Sequence, residues 1–353
     1  MITALITPVP AAPDASPAEQ CRFIGLRKFD DFARNTGTNG LVLLSPVIKA
    51  PIAWNELVAS WNVAPVSNAV LKIEAGGIYA DHRTKFYTLG VWSAAQDRHS
   101  VRGQRDADGS VRTDTWIATR PAADVQLRLT WSGSQSEPAL KFVGLSFFDN
   151  RAQVTPLPPN RGAWGKIIAT PERSQHSYPQ EEGWCSPTSL SMVLAGWSDV
   201  LGRPEMNLDV PQVAAAVFDD GFGGTGNWPF NTALAGSFDG MRAYVTRLSD
   251  ISELEDWIQA GIPVIISAPW HLLQPGRHDT GSGHLVVVIG FTETGDVVVN
   301  DPATNLQKGQ KVRRVYTREN VIKAWRASKN TVYLVYPESA KIPADRFGHW
   351  DGP

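Results

Sequence analysis

A cysteine, Cys185, stands in the stretch Gly183-Trp184-Cys185-Ser186-Pro187-Thr188-Ser189-Leu190, just ahead of residues that start a helix. A histidine, His284, opens the apolar run Leu285-Val286-Val287-Val288-Ile289-Gly290, and the pair Asn300-Asp301 closes the strand after it. A thiol, an imidazole and a carboxylate are what a cysteine nucleophile needs: a thiolate to attack, a base to generate it and an acid to orient the base. Taken singly, each has an ordinary explanation. A free cysteine is commonly a small buried hydrophobe, a strand-end histidine can bond to backbone, and Asn-Asp-Pro is a good turn.

Spacing joins the three. Ser186 is a good N-cap and Pro187 a good first helical residue, which predicts Cys185 at a helix N-terminus. The macrodipole and free N–H groups there favour a thiolate and help to hold an oxyanion. Thr292-Glu293-Thr294-Gly295 predicts a hairpin. It folds residues 296–300 antiparallel onto 284–291 and returns Asn300-Asp301 to the side of His284. Asp301 is the expected orienting acid, with Asn300 a further candidate. Gln175 and Gln180, both upstream of the cysteine, are candidates for an amide donor to the oxyanion.

These residues need elements to hold them. Residues 187–197 read as a helix with Leu190, Val193, Leu194 and Trp197 on one stripe. Further helices are expected over 210–218, over 252–260 with a stop at Gly261, and from the cap Thr317 to 326. Strands are expected over 263–268, 284–291, 296–299 and 331–336. Helices followed by a mainly antiparallel sheet make an α+β plan. Residues 22–149 differ: short apolar runs alternate with turns, as in Val125, Leu127, Leu129 and Trp131 on one face of a strand, which predicts an all-β sandwich or jelly roll. The prolines of Thr155-Pro156-Leu157-Pro158-Pro159-Asn160-Arg161-Gly162 mark a linker. The division expected is therefore a disordered leader (1–20), a β-rich accessory domain (21–153), a linker (154–165), a catalytic domain (166–340) and a tail (341–353).

Composition narrows the classes. The chain has 353 residues, 42 % hydrophobic and 19 % charged, with a formal net charge of −2, which is globular composition with room for a core in each domain. The lack of a basic stripe argues against nucleic acid, and no apolar run reaches the ~20 residues of a membrane span. The two cysteines, Cys21 and Cys185, form no CxxC pair for zinc, and a disulfide between them would consume the nucleophile, so both are expected free. Neither metal nor organic cofactor is needed by the chemistry. The first 20 residues lack the pattern of an export signal, which makes the cytoplasm the default compartment. Asp106-Ala107-Asp108-Gly109 imitates the start of a calcium loop but lacks its closing glutamate, and reads as a hairpin turn. Gly221-Phe222-Gly223-Gly224-Thr225-Gly226 follows a helix rather than a strand, so it reads as a loop bordering the cleft and not as a phosphate cradle. Trp54, Trp61, Trp92, Trp116 and Trp131 are read as core in preference to a sugar-binding face.

The order Gln…Trp-Cys-Ser-Pro-Thr-Ser, then Gly-His-Leu-Val-Val-Val-Ile-Gly-Phe, then Val-Asn-Asp-Pro resembles the bacteriocin-processing (double-glycine) peptidases of the papain-like clan, over residues 166–337. It is most similar to the stand-alone bacterial branch that carries no transporter. The resemblance implies a papain-like fold with Cys185 as nucleophile, His284 as base and Asp301 as orienting acid. The Ser174-Gln175 context implies Gln175 as the oxyanion donor, with Gln180 in reserve. Ser186 departs from the glycine that transporter-linked members place after the cysteine, and no Gly-x-x-x-x-Gly-Lys-Ser/Thr loop occurs, so cleavage of a double-glycine leader is not implied. The β-rich region resembles the N-terminal regions that accompany this branch. The expected function is a thiol-dependent hydrolase of peptide or isopeptide bonds acting on a peptide or protein. The alternative is an acyl-transferring or catalytically silent member whose β-rich domain binds carbohydrate or protein.

Overall fold

The computed structural model describes residues 20–37, 40–65, 68–95, 97–133, 139–179, 183–274 and 283–350. The expected leader up to residue 19 and the candidate Gln180 lie outside the described residues.

The N-terminal half is one antiparallel nine-stranded sheet. Its strands are β1 (Cys21–Leu26), β2 (Ala33–Gly37), β3 (Gly40–Leu44), β4 (Ile48–Val63), β5 (Val70–Ile78), β6 (Tyr87–Ser93), β7 (Gly109–Arg112), β8 (Thr115–Ser132) and β9 (Leu140–Phe148). Strand β8 is long enough to serve two neighbourhoods: its first part lies between β4 and β7, and its second between β3 and β5. Val125, Leu127 and Leu129 are fully buried and Trp131 nearly so, as their alternation predicts. Trp54, Trp61, Trp92, Trp116 and Trp131 are all buried and form no exposed face.

The C-terminal half is α+β. Helix α1 (Cys185–Leu201) is followed by α2 (Val210–Val217), α3 (Trp228–Ser237), strand β10 (Met241–Arg247), α4 (Ile251–Gln259), β11 (Val264–Ser267), the single turn α5 (Trp270–Leu273), β12 (Leu285–Phe291), β13 (Val297–Asn300), β14 (Arg313–Tyr316), α6 (Arg318–Ala327) and β15 (Thr331–Pro337). The strands make a second antiparallel sheet in the order β10-β15-β11-β12-β13-β14. Both of its faces are covered. Leu285, Val287 and Ile289 of β12 join a core with α1, whereas Val286 and Val288 join another with α4 and α6. That is why β12 reads as an unbroken apolar run instead of an alternation.

Four elements of this half were not foreseen: α3, β10, the single turn α5 and β14. Helix α3 is buried nearly all round, so it has no polar face to betray a helical period. Its Phe230 meets Trp61 and Trp92 of the first half edge-on, at ring-centroid distances of 6.0 and 5.5 Å. Strand β10 is the edge of the second sheet, and its backbone is closed by side chains of β4 and β9. Asn62 Nδ2 donates to Ala243 O (2.7 Å) while Ala243 N donates to Asn62 Oδ1 (3.1 Å). Val245 N donates to Ser60 Oγ (2.9 Å), and Ser146 Oγ donates to Val245 O (2.6 Å). Gly236 lets this approach happen, because a Cβ there would lie 2.0 Å from Asn62 Nδ2. A single apolar cluster consequently runs from the first sheet through α3 to β10 and α1.

The linker is stapled down. Asn160 N and Trp164 Nε1 donate to the Glu255 carboxylate (2.8 and 2.7 Å), and Leu157 N donates to Asp250 (2.7 Å). The tail returns to β1: Phe23 N donates to His349 O, and the His349 ring bonds Cys21 O, Ser249 Oγ and the Glu253 carboxylate.

Candidate active site

Gly183 has φ 76°, a left-handed conformation that glycine adopts without a Cβ clash, and it turns the chain into α1. The helix begins at Cys185 itself, with Trp184 as N-cap and no side-chain cap bond. The expectation that Ser186 caps the helix is corrected here. Ser186 is buried one residue inside, and its hydroxyl lies 3.0 Å from the Tyr333 hydroxyl. The consequence favours chemistry. A capping serine would occupy a first-turn N–H, whereas here the backbone N–H groups of Ser186 and Leu285 help to lower the Cys185 thiol. Both cysteines are free: Cys185 is half-buried and Cys21 is buried.

Helix α1 packs on β12, so the start of the helix meets the start of the strand. His284 precedes β12 by one residue and is 6 % exposed. Its ring and the Cys185 sulfur act on each other's charge. Nε2 lies 2.9 Å from Asp301 Oδ1, which leaves Nδ1 to the sulfur. The hairpin holds β13 in register with β12, Asn300 opposite Val287, and Asp301 follows directly. Asp301 is fully buried and every acceptor is used: Ala303 N donates to Oδ1 (2.9 Å) and Tyr316 OH to Oδ2 (2.5 Å). Asn300 points elsewhere. Its amide donates to the carbonyls of Thr170 and Pro171 (3.2 and 3.3 Å), so it fixes the strand leading to Gln175 and does not touch His284.

The charges follow from these contacts. Burial alone would push the His284 imidazole down, but the Asp301 carboxylate, by charge and hydrogen bond, and the Cys185 sulfur lift it to about 10. Burial pushes the Cys185 thiol up, yet His284 and the two backbone N–H groups outweigh it and bring the thiol below its ordinary value. Asp301 is held at about 2 against the effect of burial by His284, by the Tyr316 hydroxyl and by Ala303 N–H. All three shifts run in the direction of a thiolate beside an imidazolium beside a carboxylate.

Gln175 begins a short 3-10 turn capped by Ser174, and its backbone N donates to Pro302 O (3.0 Å), one residue past Asp301. Its side-chain oxygen is buried with no partner among the described residues. Sequence reasoning missed Tyr316. Nothing local marks it, since it reaches Asp301 only because β14 pairs with β13, Tyr316 opposite Val297.

The sulfur opens onto a cleft of about 860 Å³ that both halves of the molecule line. The second half supplies Gly183, Cys185, residues 222–226 and Trp228, so the glycine-rich loop borders the cleft as expected. The first half supplies the turn between β7 and β8.

The family model described as Peptidase_C39 like family matches residues 167–333, the span that contains all of these groups. Residues 167–333 belong to the C39-like peptidase family. The model for the Peptidase C39 N-terminal domain, an actinobacterial type, matches residues 33–147. Among solved structures, a protein assigned as a C39-like peptidase from Bacillus anthracis is 21 % identical, over 50 % of this chain and 99 % of its own, at a TM-score of 0.38. The structure of infectious bursal disease virus Gt strain is 13 % identical, over 42 % of this chain and 38 % of its own, at a TM-score of 0.22. No curated protein matches the chain. Among the described residues, no helix is long and apolar enough to cross a membrane.

Proposed function

We propose that this C39-like peptidase is a thiol hydrolase of peptide or isopeptide bonds that works through an acyl-enzyme on Cys185. The observation that carries the reading is the His284–Asp301 hydrogen bond beside Cys185, whose thiol is lowered by the imidazole and which lines a cleft. In this reading residues 166–340 hold the chemistry and 21–153 bound the cleft. The Cys185 thiolate attacks the carbonyl carbon. The oxyanion that forms is held by the Gln175 amide and a first-turn N–H of α1. His284 gives its Nδ1 proton to the leaving amine as the C–N bond breaks, and a thioester remains. The neutral ring then takes a proton from water, the hydroxide adds to the thioester, and the released thiolate restores the ion pair. Asp301 keeps the ring oriented throughout.

A digest of randomised peptide libraries, read by mass spectrometry, tests this. Wild type is expected to cleave and Cys185→Ala to be inert, with a covalent acyl adduct on Cys185 in a rapid acid quench of the wild type. Cleavage that survives Cys185→Ala would end the proposal. Tyr316→Phe gives a subtler expectation. Loss of the hydroxyl removes one of the bonds that depress Asp301, so its carboxyl protonates at higher pH. The acid limb of kcat/KM against pH should move upward, with kcat down about tenfold and KM little changed, the scale of one hydrogen bond to a charge. An unshifted limb would leave Tyr316 a packing residue only.

A further inference from the structure

The cleft's ionisable groups are unequally satisfied. Glu56 is held between Arg247 and Lys329. Asp114 is buried, where it accepts from the Thr115 hydroxyl (2.9 Å) and from Trp228 N at the start of α3 (3.1 Å). Arg112 is exposed, and its guanidinium has no hydrogen bond or ion pair among the described residues. Three cations, Arg112, Arg247 and Lys329, thus line the cleft against two carboxylates, Glu56 and Asp114.

Arg112 is also well placed. It ends β7, paired opposite Thr115 of β8, and the turn between them is tight: Thr113 has φ 54°, and Asp114 N donates to Arg112 O at 2.7 Å. The buried Asp114 pins that turn to α3. Arg112 therefore stands at a fixed point of the first sheet on the wall of the crevice that holds the nucleophile of the second.

We propose that the β7–β8 turn is the specificity wall of the cleft, with Arg112 binding a carboxylate of the peptide substrate. The inference rests on the peptidase reading above and names the substrate class for the same site. A planar guanidinium without a partner takes a carboxylate through two parallel hydrogen bonds, which a neutral amide cannot match in charge. The carboxylate comes either from an aspartate or glutamate side chain or from a free peptide C-terminus. Arg247 and Lys329 are already committed to Glu56, so they set the sign of the local field and leave the direct contact to Arg112.

The experiment uses paired hexapeptide libraries. In one pair a single position is Glu or Gln with the rest randomised, and in the other the C-terminus is acid or amide. Wild type should cleave one acidic library about tenfold faster than its neutral partner, the order expected of a charged hydrogen bond at an exposed side chain. Which pair shows the difference identifies the source of the carboxylate. Arg112→Ala should erase that difference, so that acidic and neutral partners are cleaved at equal rates, and Arg112→Glu should reverse it toward lysine-bearing peptides. Equal cleavage of acidic and neutral partners by wild type, or a preference that persists in Arg112→Ala, overturns the inference. If wild type cleaves nothing, the peptidase reading fails separately. Fluorescence anisotropy with the same libraries on Cys185→Ala and on Cys185→Ala/Arg112→Ala then decides: Arg112-dependent retention of acidic peptides upholds carboxylate binding, and equal retention refutes it.

Discussion

Alanine at His284 should lower kcat/KM by about a thousandfold to a millionfold, and the double variant with Cys185→Ala should be no worse than either single one. Catalytic groups that act as a unit fail together, which is why their losses do not add. The thiol itself gives the sharper readout. In a Cys21→Ser background, iodoacetamide should label Cys185 of the otherwise native protein with a pH midpoint below that of an ordinary thiol. His284 supplies the hydrogen bond and the charge that outweigh burial. With His284→Ala the burial remains and only the two backbone N–H groups oppose it, so the midpoint should climb and labelling at neutral pH should fall sharply. Identical labelling profiles with and without the imidazole would remove the base from the mechanism.

The same ion triplet fixes a pH window for stability. His284 holds its proton more tightly folded (about 10) than at its ordinary value of 6.5, so its contribution is complete below 6.5 and is lost as pH rises toward 10. Asp301 is depressed from 3.8 to about 2, so its contribution is present above 3.8 and is lost as pH falls toward 2. Both contributions are in force together between these ordinary values.

Trp61→Ala should cost about 3–5 kcal/mol and lower the melting temperature by about 10 °C, with both sheets melting together in one transition. Trp61 is fully buried and meets Trp92 and Phe230 edge-on, so its removal opens a cavity at the seam between the two halves. That seam is continuous core, and β10 depends on Asn62, Ser60 and Ser146 to close its backbone. Removal of residues 1–153 should accordingly leave the remainder insoluble or without cooperative unfolding, because β10 becomes a bare edge and α3 a bare apolar face. Calorimetry of full-length protein and of the fragment checks both statements. Two well-separated transitions, the first alone shifted by Trp61→Ala, would show that the halves are independent.

The residues of the site were legible because local signals place them. A Gly-Trp-Cys-Ser-Pro corner can only lead into a helix, and the 292–295 turn sets the register that returns Asp301 to His284. Ser186 shows the limit of such signals: its type suits an N-cap, but a buried tyrosine from β15 claims the hydroxyl, and the helix starts two residues earlier. Helix α3 was invisible because amphipathic periodicity needs a wet face, and tertiary packing gives α3 none.

What the amino-acid order alone determined is the chemistry, namely a sulfur at a helix start, an imidazole at a strand mouth and a carboxylate across a hairpin. All three rest on contacts within one helix start or one hairpin, or on a single packing of α1 against β12. Tertiary structure alone decided the rest: that Tyr316 holds Asp301, that the first sheet lends Arg112 and Asp114 to the cleft, and that the two halves share a core. Those groups meet across separations in the chain at which no periodicity or turn preference acts, and only the pairing of strand edges and the burial of α3 bring them together.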